Sequence, residues 1–273
     1  MLKSLRDDPD LDGVSGLRRT CGRANASCTE QGFVLMQDSQ YLFSLIDRRM
    51  TESLLNSTTC LPGCSNMIRI GTRTDVAIGK YGNLPANASS LVHTVTRMQG
   101  TDRRYSTLLL RQGSNLQMNW RAFVHTEPPL TPVSFINQRR RWSSNAFFNF
   151  LLYSTSIPLY IRVPTLFDIG RVFSTLFRFV SYFCFWTFIG DFSITNLVFL
   201  SLFIVLPYVY AFVWIAFIIP EWRQMLMGFF LNKIFMPFLS VIAVTKMFFT
   251  ATNFAWGSTT VSDTNASPPE PVS

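Results

Sequence analysis

Gln138-Arg139-Arg140-Arg141-Trp142 stands where this chain changes character. Residues 1–145 carry 18 Lys and Arg against 11 Asp and Glu, whereas residues 146–273 carry 6 against 5 and hold most of the 26 phenylalanines. Thr131 followed by Pro132 predicts a helix start just upstream, because proline is tolerated at the first helical position. On that helix Gln138, Arg141 and Trp142 lie three and four residues apart and share a face. Arg139 and Arg140 are then expected to point elsewhere, toward lipid headgroups. By itself the pentapeptide has two readings of equal weight. It is a basic juxtamembrane anchor with Trp142 in an aromatic belt, or a place where a guanidinium holds an anion and an indole face seats a sugar ring.

The apolar half contains an uncharged run from Phe192 to Pro220, longer than the roughly 20 residues that cross a bilayer as helix. Two flanking segments, 172–190 with Arg178 and 224–249 with Lys233 and Lys246, are weaker spans. A lone charge in hydrocarbon costs at least about 2.5 kcal/mol unless it snorkels or faces a polar cavity. Residues 146–171 are aromatic and interrupted by Pro158 and Pro164, which suits interfacial helices. The basic surplus beside the apolar half places residues 1–145 on the cytoplasmic side. Nucleic acid is not the expected partner, since no aromatic-interleaved basic stripe or zinc-ligand spacing is present.

Within residues 1–145, a charged opening leads to a glycine-punctuated strand, and Asp8-Pro9-Asp10 reads as a solvated turn. Residues 33–55 have near-helical apolar spacing. Thr59-Cys60-Leu61-Pro62-Gly63-Cys64 reads as a tight turn before a short strand at Ile68-Arg69-Ile70. Residues 72–100 are polar and punctuated by Gly79, Gly82, Pro85 and Gly100, and are expected to be irregular. Asp102 opens a short helix that stops at Gly113, and there an isolated carboxylate is first of all a helix cap. Alternation from Leu116 to Val124 predicts a strand. The five cysteines are expected to be free thiols, because Met1 to Gly16 is charged and has no signal-peptide core. The tail from Ser262 has the composition of a disordered segment.

In order and spacing, these stretches resemble the C-terminal half of a chitin synthase, a processive family 2 glycosyltransferase. The matching signposts are Asp8-Pro9, the TCLPGC turn at 59–64 with Met67, Arg69 and Ile70, Gly100-Thr101-Asp102-Arg103 before a leucine-rich helix, QRRRW at 138–142 with Asn145, and Phe254, Trp256, Gly257 and Thr259 near the end. The fold class expected is α/β plus membrane helices. A partial GT-A-type glycosyltransferase domain at 1–145 is followed by interfacial helices at 146–171, a bundle of two or three spans at 172–250, and a WG segment with its tail at 251–273.

The resemblance implies transfer of N-acetylglucosamine from UDP-N-acetylglucosamine to a growing β-1,4-linked chitin chain, with inversion and export across the plasma membrane. Asp102 would be the catalytic base. Arg103, Gln138, Arg141 and Trp142 would bind substrate, with Gln138 and Arg141 at the diphosphate and acceptor and Trp142 stacked on the acceptor sugar. Mg²⁺ or Mn²⁺ is expected for the complete enzyme, its ligands belonging to a donor half that this sequence is expected to lack, so no metal-binding residue is named here. Membrane lipid and a second copy in a homodimer are the other expected partners. Thr101 departs from the family, which has an acidic residue before the catalytic aspartate. Two other readings stay open, another processive polysaccharide synthase and a non-catalytic membrane subunit derived from one. A glycosylated receptor, suggested by sequons at Asn25, Asn56, Asn87 and Asn265, conflicts with the basic residues preceding the membrane.

Overall fold

The computed structural model describes residues 1–22, 25–44, 49–82, 91–99, 101–153, 159–177 and 222–251, with a few isolated positions between 180 and 213. The main expected span, Phe192 to Pro220, and the Trp256 segment lie outside the described residues, apart from those isolated positions.

After a short helix α1 (Leu2–Asp7), β1 (Leu11–Thr20) forms the centre of a three-stranded sheet. It pairs antiparallel with β2 (Asn66–Ile68) and parallel with β3 (Asn115–Thr126). Parallel strands need a crossover, and here it carries α2 (Cys28–Ser44), α3 (Met50–Leu54), α4 (Thr72–Gly82), α5 (Leu91–Gln99) and α6 (Thr101–Arg111). Leu11, Val14 and Leu17 of β1 are all buried, as a central strand covered on both faces requires.

The sequence expectations hold for the turn at Pro9-Asp10, the strand after it, the helix opening at Thr101 and its stop at Gly113, where φ is 74°. The predicted strand at 116–124 lies within β3. Cys21, Cys28, Cys60 and Cys64 are free thiols.

Three expectations are corrected. Within 72–100 the described residues are helical rather than irregular, α4 occupying 72–82 and α5 91–99. Thr74 and Ala77, three apart on α4, are buried against the domain, and Leu61, Ala77, Leu108, Leu109, Leu110 and Leu116 form one cluster. A helix that docks through small residues leaves little apolar signal in its sequence. The helix expected from residue 33 begins at Cys28. Ser27 Oγ accepts from Glu30 N at 3.3 Å, and Glu30 Oε2 accepts from Ser27 N at 2.8 Å, a reciprocal capping box. The short strand after TCLPGC is Asn66–Ile68 rather than 68–70, its three residues pairing with Ser15, Val14 and Gly13 of β1, and the Arg69 guanidinium then donates to the Leu11 and Asp8 carbonyls at 3.0 and 3.1 Å.

The C-terminal half begins with α7 (Pro132–Tyr153), whose N-cap is Thr131 as expected, its Oγ1 accepting from Ser134 N at 3.3 Å. This helix continues past residue 145, where the sequence suggested a boundary. α8 (Leu159–Leu176) contains position 164, so the proline there does not end it. The last described helix, α9 (Trp222–Phe249), is the one among the described residues long and apolar enough to cross a membrane, with a mean hydropathy of 1.8 in its best window.

α9 packs on the polar half as well as on its apolar neighbours. Met225 joins Leu17 and Leu42, Met236 joins Met36 and Phe135, and Val244 and Met247 join Val172 of α8. Phe43 and Phe229 stack with ring centroids 4.9 Å apart, and Asn232 Nδ2 donates to Met36 O at 3.3 Å. The opposite face leaves Met227, Phe230, Ile234, Phe238 and Ile242 exposed.

Gly228 is the point of closest approach between α9 and α2. A Cβ there would collide with the Leu35 carbonyl, approaching its carbon to 2.8 Å. Since that obstacle is backbone, Gly228→Val is expected to separate the helices and destabilise the chain by about 1–3 kcal/mol. A lowered melting temperature in detergent, with faster proteolysis near α2, is the outcome that checks it; an unchanged melting temperature would show that α9 docks elsewhere.

Candidate functional site

The TCLPGC turn is braced from both sides. Glu52, in the middle of α3 and only 3 % exposed, accepts from Thr59 N at 2.9 Å and Thr59 Oγ1 at 2.9 Å, and from Arg49 Nη1 at 2.9 Å. Ser65 N closes the turn on Pro62 O at 3.0 Å. On the other side Leu61 N donates to Ser106 Oγ at 2.8 Å, and Ser106 Oγ donates to Asp102 O at 2.8 Å. The turn is thus tied to the first turn of α6, where Asp102 and Arg103 sit.

Gly63 makes this contact close. A Cβ built on it would lie 2.9 Å from Asp102 Oδ1, so the carboxylate rests directly over the glycine. Asp102 is therefore partly buried in the seam between α6 and the turn, and not merely a cap in solvent. Arg103 is beside it, and its carbonyl accepts from Thr107 Oγ1 at 2.8 Å.

Cys60 and Pro62 of the same turn help to line a cavity of about 50 Å³, together with Ser15 to Arg18 of β1, Tyr41 and Ser44 of α2, and Arg49. Beyond it stands Trp142. Tyr41 and Trp142 have ring centroids 6.1 Å apart, and the guanidinium of Arg18 lies over both, at 4.9 Å from Tyr41 and 5.3 Å from Trp142. Asp102 and Trp142, 40 residues apart in sequence, do not line this cavity themselves; each touches a neighbour of it, Asp102 at Gly63 of the turn and Trp142 at Tyr41 and Arg18. α6 also touches α7 directly.

The three arginines of the pentapeptide differ from expectation. Arg139 does not point to lipid headgroups; its Cζ lies 4.4 Å from the Trp142 ring centroid, 4.7 Å from Phe135 and 5.5 Å from Tyr41. Burial pulls its pKa below the ordinary guanidinium value, with Tyr41 opposing and the charge of Arg18 reinforcing the fall. Arg140 is 5 % exposed and donates through Nη1 to Thr250 O at 2.9 Å and Thr250 Oγ1 at 3.2 Å, beyond the end of α9. The reason is shared: α9 and α2 enclose α7 on the sides where the sequence alone suggested open interface. Arg141 is partly buried, and burial and then Arg140 lower its pKa. Gln138 Oε1 is buried and has no hydrogen-bond partner among the described residues.

Arg18, Tyr41, Arg49 and Glu52 were not picked out from the sequence. The local signals are Arg49 three residues before Glu52 and Glu52 seven residues before Thr59; the contacts of Arg18 and Tyr41 with Trp142 join strand and helices over long separations. Among the described residues there is no group of three or more His, Cys, Asp or Glu placed to hold a metal ion.

Comparison with known proteins gives a consistent result. A family model described as chitin synthase matches residues 1–268. Chitin synthase VI of Metarhizium acridum is 30 % identical over 135 residues, covering 48 % of this chain and 21 % of that protein. Chitin synthase csmA of Emericella nidulans is 24 % identical over 287 residues, covering 96 % of this chain and 14 % of its own length. Chitin synthase chs-1 of Caenorhabditis elegans is 32 % identical over 140 residues, covering 51 % of this chain and 10 % of its own. The chain spans about a fifth or less of the length of these relatives.

Because Glu52 satisfies three donors in a buried setting, Glu52→Ala is expected to free the turn and destabilise the fold by about 3 kcal/mol, whereas Glu52→Gln should cost less. Denaturant melts of the two variants check this order, and equal stabilities would remove Glu52 as the brace.

Proposed function

The chain belongs to the chitin synthase family, and from that premise we propose that it forms the acceptor side of a membrane glycosyltransferase adding N-acetylglucosamine from UDP-N-acetylglucosamine to a β-1,4-linked chain. The observation that carries this reading is the Asp102 carboxylate resting over Gly63 of the TCLPGC turn, whose Cys60 and Pro62 line a small cavity that Arg18 and Tyr41, the neighbours of Trp142, also line.

In this reading Asp102 takes the proton of the acceptor 4-hydroxyl as its oxygen bonds to the anomeric carbon. The bond from that carbon to the diphosphate oxygen breaks on the opposite face, UDP leaves, and the anomer inverts. The base has to lie within hydrogen-bond reach of the hydroxyl. Trp142 offers a flat apolar face for the acceptor ring, and the buried Gln138 Oε1 is suited to accept from one of its hydroxyls. Arg141, with Arg103 near the base, supplies charge-assisted bonds to phosphate oxygens, favoured in a partly desolvated position. Burial lowers the Arg141 pKa, yet a guanidinium remains cationic in proteins, so its role survives.

The sheet and its helices are proposed to be part of a GT-A-type domain on the cytoplasmic side of the plasma membrane. α7 would run along the interface, and α9, with its exposed apolar stripe, would belong to the membrane region. A non-catalytic family member is the second reading, and one observation favours it: two guanidiniums cover the Trp142 ring on which a sugar should stack.

Membranes from cells producing the natural gene product are expected to incorporate labelled N-acetylglucosamine into insoluble, chitinase-sensitive polymer. Asp102→Asn should reduce that incorporation by at least about a hundredfold while membrane insertion stays intact. Full activity in the variant would remove Asp102 as base, and absence of incorporation in the parent would favour the non-catalytic reading.

A further inference from the structure

Trp142 presents the acceptor platform in the reading above, yet its ring already carries two cations. Arg139 reaches it from the same helix and also lies against Phe135 and Tyr41, so it cannot leave without unpacking α7. Arg18 reaches it from the end of β1, 5.3 Å from the ring centroid, is only partly buried, and lines a small cavity together with Arg49, Cys60 and Pro62.

The two guanidiniums share one aromatic pair. The carboxylates buried in this region are engaged elsewhere, Asp38 by Arg19 at 3.0 Å and Glu52 by Arg49 at 2.9 Å. Arg18 and Arg139 therefore repel each other across this aromatic pair, the charge of Arg18 lowering the Arg139 pKa after burial and against the larger opposing effect of Tyr41. A cation over an indole is held by the ring quadrupole, an attraction that is modest where water can reach it. Moving Arg18 off the ring gives up that attraction and relieves the like-charge contact.

We propose that Arg18 is a built-in plug of the acceptor platform: its guanidinium covers Trp142 when no sugar is bound and swings toward the cavity it lines when the end of a β-1,4-linked N-acetylglucosamine chain stacks on the ring. The inference rests on the acceptor-site reading of Trp142. It gives the covered ring a function and makes Arg18 a regulator of chain engagement.

The test is calorimetric titration of a chito-oligosaccharide into the detergent-solubilised full chain. Arg18→Ala is expected to bind roughly three- to tenfold more tightly than the parent, the range a displaced cation–π contact implies. Arg18→Lys, which restores a cation over the ring, should stay within about twofold of the parent. Arg18→Met keeps the aliphatic stem against Tyr41 and replaces the alanine variant should that fail to fold; it too should bind more tightly. Parent binding with equal or weaker affinity in the Ala and Met variants overturns the plug and leaves the acceptor site standing. Absence of binding in the parent and in every folded Arg18 variant overturns the acceptor reading, and the plug with it.

Discussion

The ion pair between Arg19 and Asp38 fixes α2 on the end of β1, and the candidate site depends on that placement. Asp38 is 4 % exposed, and its carboxylate accepts from Arg19 Nε at 3.0 Å, Arg19 Nη2 at 3.0 Å and the Thr20 backbone N–H at 2.8 Å. A buried carboxylate is tolerable only when its lone pairs are matched in this way. One side of α2 is thereby committed to the sheet. Its other side is free to receive α9, so a single helix joins the polar layer to the apolar one. Tyr41, one turn after Asp38, then stands where Arg18 and Trp142 can reach it.

Burial of the QRRRW arginines follows from this arrangement. With α9 docked on α2, the groove left for α7 has protein on two sides. Arg139 is taken up by aromatic rings and Arg140 by a carbonyl beyond α9. Guanidinium suits both uses, because it is planar, weakly hydrated and able to stack or to donate along its edge. Lysine at either position would have only a compact, strongly hydrated charge to offer. The pentapeptide is therefore part of the packing between the two halves.

The sequence was most readable where the physics is local. Pro132, Gly113 and the Pro62-Gly63 step each impose a backbone geometry through one or two residues, and each appears where expected. The capping box at Ser27 and Glu30 was equally local and was passed over because apolar spacing begins later, at Phe33. α4 was hidden for a different reason: Thr74 and Ala77 make a buried face too small to register as a hydrophobic stripe. In the site, Asp102, Gln138, Arg141 and Trp142 came from motif resemblance. Arg18, Tyr41 and Arg49 did not, since a strand end, a mid-helix position and a turn flank acquire meaning only when the crossover brings them to one cavity. The reversal at Arg139 and Arg140 has the same origin, because helical periodicity gives a side chain's direction but not what lies there.

α7 runs unbroken for 22 residues from Pro132 to Tyr153, which at 1.5 Å per residue makes a rod about 33 Å long. Trp142 sits near its middle, Gln138 toward its N-terminal end, and Phe147 at the level of Phe173 and Phe248. Such a rod does not bend to accommodate a ligand at one point; it pivots. A tilt of ten degrees about one end would carry the other by about 6 Å on that length, a little more than the length of one sugar unit. A displacement at the level of Trp142 is therefore carried by simple leverage to the aromatic packing of Phe147 with Phe173 and Phe248 in the apolar half.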